Sequence, residues 1–175
     1  IDDPKKPFRV GVYELDTPGH SIHDVWIEDG IAYSSNWADG IVAVDIGAKK
    51  HKESDRSKSQ FNPLLAKAGQ GSPSNPVKLA EMKDPTGRNH AAFPYLNEET
   101  GQFYIIGGDE NFPWGVQATK NKPSNPRGGY HFMNFTDPNN PREDAIYEVP
   151  EAGSHNLWIY GDILLAGNYQ GGLRI

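Results

Sequence analysis

The chain has 175 residues, 36% of them hydrophobic, which is enough for one domain with a buried core. A formal net charge of −6 and the lack of a long basic stripe argue against nucleic acid as a partner. The sequence has no cysteine, which excludes disulfides and thiol chemistry, and no apolar run near the roughly 20 residues of a membrane span.

The first element in chain order is a proline frame, "DPKKP" at residues 3–7, followed by an extended stretch at 8–15. The same frame recurs as "SPSNP" at 72–76 and "DPNNP" at 137–141, and each copy again precedes an extended stretch. Proline fixes φ and lacks a backbone donor, so it belongs at a turn or at the first residue of a strand. Each frame therefore predicts a turn that leads into a strand.

A histidine-led segment follows the first frame and also repeats. Residues 23–43 align without a gap with residues 155–175, and a third copy with a longer turn lies at 89–108. The coinciding positions of the first and last copies are His23 and His155, Trp26 and Trp158, Ile27 and Ile159, Ile31 and Ile163, Asn36 and Asn168, and Gly40 and Gly172, with His90 and Phe93 at the first two positions of the middle copy.

Each repeat unit predicts four short strands, three from the histidine-led segment and a fourth after the proline frame. Their Val, Ile, Tyr, Phe and Trp favour strands, and Gly, Asn, Asp and Pro stand at the joints. One helix of about two turns is predicted, at 62–69. Repeated four-stranded units are typical of an all-β fold, the β-propeller. A β-sandwich with accidental repeats is the alternative.

The propeller hypothesis divides a single domain, residues 1–175, into blades. About three four-stranded blades are visible, and two long insertions interrupt them. We expect residues 1–15 to form the outer strand of one blade, 23–82 a blade with an insertion at 47–71, 90–149 a blade with an insertion at 109–128, and 155–175 the inner strands of the next.

An open arc of three blades would leave two blade faces exposed. Four strands give a face of about 300 Å², which is worth about 8 kcal/mol at about 25 cal/mol per Å². A whole domain is stable by only about 5–15 kcal/mol. We therefore expect the rest of a longer chain to complete a ring of about six to eight blades, or a second copy to close it.

The repeated motifs resemble those of a known family. "HDVWI" (23–27), then "GIVAVDI" (40–46) and a Ser-x-Pro turn are similar to the LVIVD-repeat proteins, which are bacterial and archaeal β-propellers. That resemblance covers nearly the whole chain apart from the two insertions, and it implies a secreted, periplasmic or cell-surface protein. "YSSNWADGIVAVDI" (33–46) also resembles one blade of the selenium-binding protein (methanethiol oxidase) family, propellers associated with metal.

The three histidines are the main candidate for chemistry. His23, His90 and His155 begin the innermost strands of their blades, so we expect them near the central channel at one rim. Neutral imidazole is a common metal ligand, and three histidines with an open position form a known catalytic arrangement. A histidine at a fixed blade position also suits a structural hydrogen bond, and both interpretations stay open.

The loops between second and third strands share that rim and supply further candidates. The acidic turn at 107–112 has oxygen ligands of the kind Ca²⁺ prefers, but it lacks EF-hand spacing, which favours an ordinary acidic turn. Trp26, Phe93 and Trp158 are predicted to pack between blades. The predicted ligand-binding or partner-binding residues are Trp37, Asp109, Glu110, Asn111, Trp114 and Tyr169.

Two functions are consistent with this pattern. The first is a non-catalytic extracytoplasmic propeller whose rim loops bind a protein, a glycan or a surface. The second is a metal-dependent propeller enzyme of the oxidase or lyase type, with His23, His90 and His155 as ligands. The fold alone does not choose between them, because propellers support both.

Overall fold

A computed structural model describes residues 3–52, 61–111, 128–150 and 152–175. Within these ranges the chain is all-β apart from one short helix, and its strands form three antiparallel sheets. Each sheet is a meander in which strands adjacent in sequence pair with each other. The three sheets therefore correspond to the predicted repeat units.

The strand bounds follow the repeats closely. The first sheet contains β1 (Asp24–Glu28), β2 (Ile31–Ser35), β3 (Ile41–Asp45) and β4 (Val77–Met82). The second contains β5 (Asn89–Asn97), β6 (Gln102–Asp109), β7 (Tyr130–Asn134) and β8 (Arg142–Tyr147). The third contains β9 (Ser154–Tyr160), β10 (Ile163–Asn168) and β11 (Gly172–Arg174).

Local turn chemistry sets the registers. Asp29 and Gly30 join β1 to β2 with φ values of 50° and 76°, the two positive angles that a tight hairpin turn needs. Asn36 follows β2 and donates through Nδ2 to the carbonyl oxygens of Ser34 and Gly40. Asn168 makes the equivalent bond to Ala166, so the repeated asparagine is a turn element.

The core lies between the sheets rather than inside one. One cluster joins the first two sheets through side chains such as Tyr33, Ile41 and Ile105. A second joins the second and third sheets through Phe93, Tyr130 and Leu157. Because both faces of β2 and β3 are buried, their apolar residues, at 31–33 and 41–44, are consecutive rather than alternating with polar ones. Sheets that stack on their neighbours in this way are compatible with propeller blades.

The predicted helix is present as α1 (Pro63–Lys67), in the insertion between β3 and β4. Asn62 caps its first turn by accepting from the Leu64 backbone N–H, and Leu64 and Leu65 bury against the first sheet. The second insertion joins β6 to β7, and its residues 112–127 lie outside the described ranges.

The structure leaves two other expectations, an outer strand near the start of the chain and the closure of a ring, as predictions. Residues 8–15 carry no assigned strand, so their role as the outer strand of a further blade stays a prediction. The four-stranded units are confirmed, whereas the closure of a ring stays a prediction. Among the described residues no helix has the length and apolar character to cross a membrane.

Candidate metal centre

The three repeated histidines lie side by side at one end of the sheets. His23 immediately precedes β1, and His90 and His155 are the second residues of β5 and β9. The ring centroids of His23 and His90 are 4.5 Å apart, and those of His90 and His155 are 4.1 Å apart. The predicted convergence of the imidazoles at a common rim is therefore confirmed.

Glu110 lies at the centre of this group. Its Oε2 is 3.2 Å from His90 Nδ1 and 3.5 Å from His23 Nε2, while its Oε1 is 3.5 Å from His155 Nε2. His23 Nε2 and His90 Nδ1 are themselves 2.5 Å apart. We call His23, His90, His155 and Glu110 the histidine mouth.

The distances from Glu110 to the three imidazoles match a metal coordination sphere, whereas the 2.5 Å between His23 Nε2 and His90 Nδ1 is shorter and would widen on coordination. Zinc–nitrogen and zinc–oxygen bonds of about 2.0–2.2 Å in a tetrahedron place neighbouring ligand atoms roughly 3.3 Å apart. One ligand atom each from His23, His90 and Glu110 lies within 4.8 Å of the others. The mouth therefore has the size and the donor atoms for one transition-metal ion.

Asn156 fixes the chemical form of His90. The Nε2 of His90 is 2.7 Å from Asn156 Oδ1, an oxygen that only accepts, so Nε2 carries the proton. Burial, the largest influence, lowers the pKa of His90, and the nearby imidazoles act in the same direction. His90 is thus a neutral imidazole whose Nδ1 lone pair is directed at the mouth, as in metal-bound histidines with a polar partner on the other nitrogen.

Glu110 is the charged member of the mouth. Burial alone would raise the pKa of this carboxyl, but the hydrogen bond from Tyr169 and the three imidazoles outweigh it and hold the pKa below its usual value. Tyr169 donates through Oη to Oε1 at 2.7 Å. An ionised carboxylate among imidazoles is a strong attractor of cations.

Trp37, Glu110 and Tyr169 occupy related positions in the three sheets. Each comes directly after the polar residue Asn36, Asp109 or Asn168 at the end of a second strand. The ring centroids of Trp37 and His23 are 4.3 Å apart, and those of Tyr169 and His155 are 5.1 Å apart. In the first and third sheets this position therefore carries an aromatic ring beside a histidine, and in the second sheet it carries the carboxylate.

The other three predicted binding residues are not seen to contact the histidines of the mouth. Asp109 is fully buried and contacts His131 rather than the mouth. Asn111 donates its backbone N–H to Ser154 O, which ties the loop to the third sheet. Trp114 lies outside the described residues. Of the six rim residues, Trp37, Glu110 and Tyr169 thus lie beside the histidines.

An aromatic cluster occupies the strands that carry the mouth. The ring centroid of Trp26 lies 4.5 Å from that of Phe93 and 4.7 Å from that of Trp158. The centroids of Phe93 and Trp158 are 5.2 Å apart. The three rings come from β1, β5 and β9, which confirms that they pack between sheets. This contact holds the histidine-bearing strands together.

An open cleft of about 1320 Å³ lies elsewhere. Glu28, Asp29 and His51 help to line it, at the end of β1 remote from His23. Among the described residues no group of metal-ligating atoms converges there. We therefore place the candidate site at the histidine mouth and not at this cleft.

Sequence reasoning missed Asn156 and a second polar cluster that contains Asp84, His131 and Glu143. Asn156 follows His155 directly, and only the folded structure directs it at His90. His131 stands in β7 where the first sheet has the apolar Val42, as the pairing of each with β6 and β2 shows. A histidine at an otherwise apolar strand position was the available signal.

Comparisons with protein-family models, with curated proteins and with solved structures returned no match. The resemblance to LVIVD-repeat proteins therefore stays a prediction based on the repeated motifs.

Proposed function

We propose that the protein binds a divalent transition-metal ion at the histidine mouth and acts there on a small molecule as a metal-dependent enzyme of the oxidase or lyase type. His23, His90 and Glu110 are the ligands, and His155 is available as a fourth. The observation that carries the proposal is the ionised Glu110 carboxylate among three imidazoles.

A purely structural role accounts less well for these contacts. Repeated scaffolding would use similar residues at equivalent positions, yet Glu110 alone is a carboxylate where Trp37 and Tyr169 are aromatic. A structural hydrogen bond also needs only one nitrogen of each imidazole. His90 instead uses Nε2 for Asn156 and has Nδ1 near both His23 and Glu110.

Access from solvent supports chemistry over a closed structural site. The His23 and His155 side chains are 29% and 32% exposed, whereas Glu110 is 13% exposed. Catalytic metal sites keep a position open for water or substrate, and structural ones are closed. When bound, the metal would polarise a substrate or lower the pKa of a bound water.

The types of ligand limit which metal ions the site would bind. Imidazole suits zinc, copper and iron, and two histidines with one carboxylate form the facial triad of non-haem iron sites. Trp37 and Tyr169 flank the open side and would contact a substrate through their rings. The hypothesis of a non-catalytic module that binds a partner through its rim loops remains a prediction.

The test is the metal content of protein purified without chelators, measured by elemental analysis. We expect stoichiometric transition metal at the mouth, and we expect His90→Ala and Glu110→Gln to lose it while keeping the circular dichroism spectrum. His51→Ala, at a histidine remote from the mouth, is the matched control and should retain the metal.

Protein that contains no metal and gains none from added Zn²⁺, Cu²⁺ or Fe²⁺ would refute the proposal. Retention of the mouth's metal in His90→Ala and in Glu110→Gln would refute the ligand assignment.

A further inference from the structure

A second polar cluster is buried between the first and second sheets, away from the mouth. Asp84 lies in the turn after β4, Asp109 ends β6, and His131 belongs to β7. Their exposed fractions are 6%, 0% and 1%. Ionisable groups this deeply buried need compensation from a partner.

The contacts of this cluster leave one carboxylate oxygen uncompensated. His131 Nε2 lies 3.1 Å from Asp109 Oδ2, and Thr86 Oγ1 bridges Asp84 Oδ1 and Asp109 Oδ1 at 2.7 and 2.8 Å. The other oxygen, Asp84 Oδ2, is buried and has no hydrogen-bond partner. Ligand atoms of Asp84, Asp109 and His131 all lie within 4.8 Å of one another.

The charges point to a missing cation. Glu143 Oε2 lies 2.5 Å from His131 Nδ1, so three carboxylates surround a single imidazole. With all three carboxylates ionised, even a protonated imidazole would leave a net charge of −2. A divalent cation coordinated by the neutral imidazole would offset the charges of the buried Asp84 and Asp109 and give Asp84 Oδ2 a partner. The remaining negative charge would be that of Glu143, whose side chain is 31% exposed.

The orientation of His131 also fits a metal ligand. Metal-bound histidines commonly donate the second ring N–H to a carboxylate, which fixes the ring and its tautomer. Glu143 holds Nδ1 in that manner, and Nε2 lies 3.1 Å from Asp109 Oδ2. A cation on the side of Asp84 and Asp109 would take the place of the proton on Nε2.

We propose that Asp84, Asp109 and His131 bind a second divalent cation, of the Zn²⁺ class, separate from the histidine mouth. The site is closed to solvent, so the ion is structural. It joins the turn after β4 to β6 and β7, and thereby links the first sheet to the second.

The competing explanation is a proton shared between Asp84 and Asp109. Asp84→Asn separates the two, because asparagine replaces the protonated carboxyl with a group of the same shape that still donates to Asp109. A shared proton predicts that this variant binds as much metal as the wild type. A metal site predicts that it loses one ion.

The experiment is zinc stoichiometry by elemental analysis after loading with Zn²⁺ and removal of free metal. We expect two ions per chain for the wild type, one for Asp84→Asn and one for His90→Ala. The Zn²⁺-induced rise in Tm should shrink in Asp84→Asn, and Glu143→Gln should weaken binding at this site by roughly 10–100-fold. Asp29→Asn, an exposed aspartate remote from both sites, is the matched control and should bind two ions.

The two proposals fail separately. One ion in the wild type that His90→Ala removes and Asp84→Asn retains would overturn the buried site and leave the mouth. If the wild type binds one ion that is lost in Asp84→Asn and kept in His90→Ala, the metal site at the mouth is overturned and the buried site stands. If Asp84→Asn is not folded by circular dichroism, the Glu143→Gln affinity decides, and unchanged affinity overturns the buried site.

Discussion

At the scale of single residues, the environment of each nitrogen decides what the repeated histidines can do. His90 Nε2 donates to Asn156, which leaves Nδ1 directed at His23 and Glu110. The Asn156 side chain is the partner of His90 Nε2 and is not itself a proposed ligand, so its role is to position His90. It can therefore be changed without removing a ligand.

Asn156→Ala tests that positioning role. Loss of the hydrogen bond frees the His90 ring to rotate and to change tautomer, so we expect Zn²⁺ affinity at the mouth to fall roughly 10–100-fold. Isothermal titration calorimetry measures this. Asn140→Ala, at an exposed turn position, should leave the affinity unchanged, and an unchanged affinity in Asn156→Ala as well would contradict the role.

The sequence predicted which histidines meet, because a repeat places equivalent residues at equivalent ends of equivalent strands. It named Glu110 as a rim residue but did not identify it as a ligand of the same ion. It could not predict the contacts of Asp84 with Asp109 and His131. Those residues occupy non-equivalent positions, so only the packing of one sheet against the next brings them together.

At the scale of elements, Asp45 anchors the long insertion between β3 and β4. Its carboxylate accepts hydrogen bonds from the backbone N–H groups on both sides of that insertion. Burial alone would raise the pKa of Asp45, but these donors outweigh it and lower the pKa to about 2. The donors are Gly47, Ala48, Gly69, Gln70 and Gly71.

The lowered pKa of Asp45 predicts how its contribution to the free energy of unfolding changes with pH. A carboxyl whose pKa is lower in the folded state than in the unfolded chain adds stability above the unfolded value of about 3.9. That stability is lost as the pH falls through about 2. Asp45→Asn removes the charge, so we expect it to cost about 2 kcal/mol at neutral pH and progressively less between about pH 5 and pH 2.

Urea denaturation at several pH values measures the difference in unfolding free energy between wild type and Asp45→Asn. Asp29→Asn provides the comparison for a solvent-exposed aspartate at a turn. A difference for Asp45→Asn that is the same at every pH would show that the Asp45 charge does not stabilise the insertion.

At the scale of the whole molecule, the aromatic cluster connects the three sheets. Trp26, Phe93 and Trp158 come from the first strand of each sheet and contact one another in pairs. Phe93 is the best buried of the three, at 9% exposure. The same three strands carry the histidines, so this packing also sets the width of the mouth.

Phe93→Ala should therefore destabilise the molecule as a whole. Truncation of a buried phenylalanine costs about 3–5 kcal/mol. We expect one unfolding transition at lower urea concentration by both circular dichroism and tryptophan fluorescence. Tyr160→Ala, at a side chain 75% exposed, should cost under about 0.5 kcal/mol. Equal losses in the two variants would contradict a packing role for Phe93.

The most direct test of the account is anomalous X-ray scattering at the zinc edge from crystals grown with Zn²⁺. We expect a peak about 2.0–2.2 Å from His23 Nε2, His90 Nδ1 and a Glu110 oxygen. Absence of a peak there, with the imidazoles hydrogen-bonded to one another instead, would contradict it.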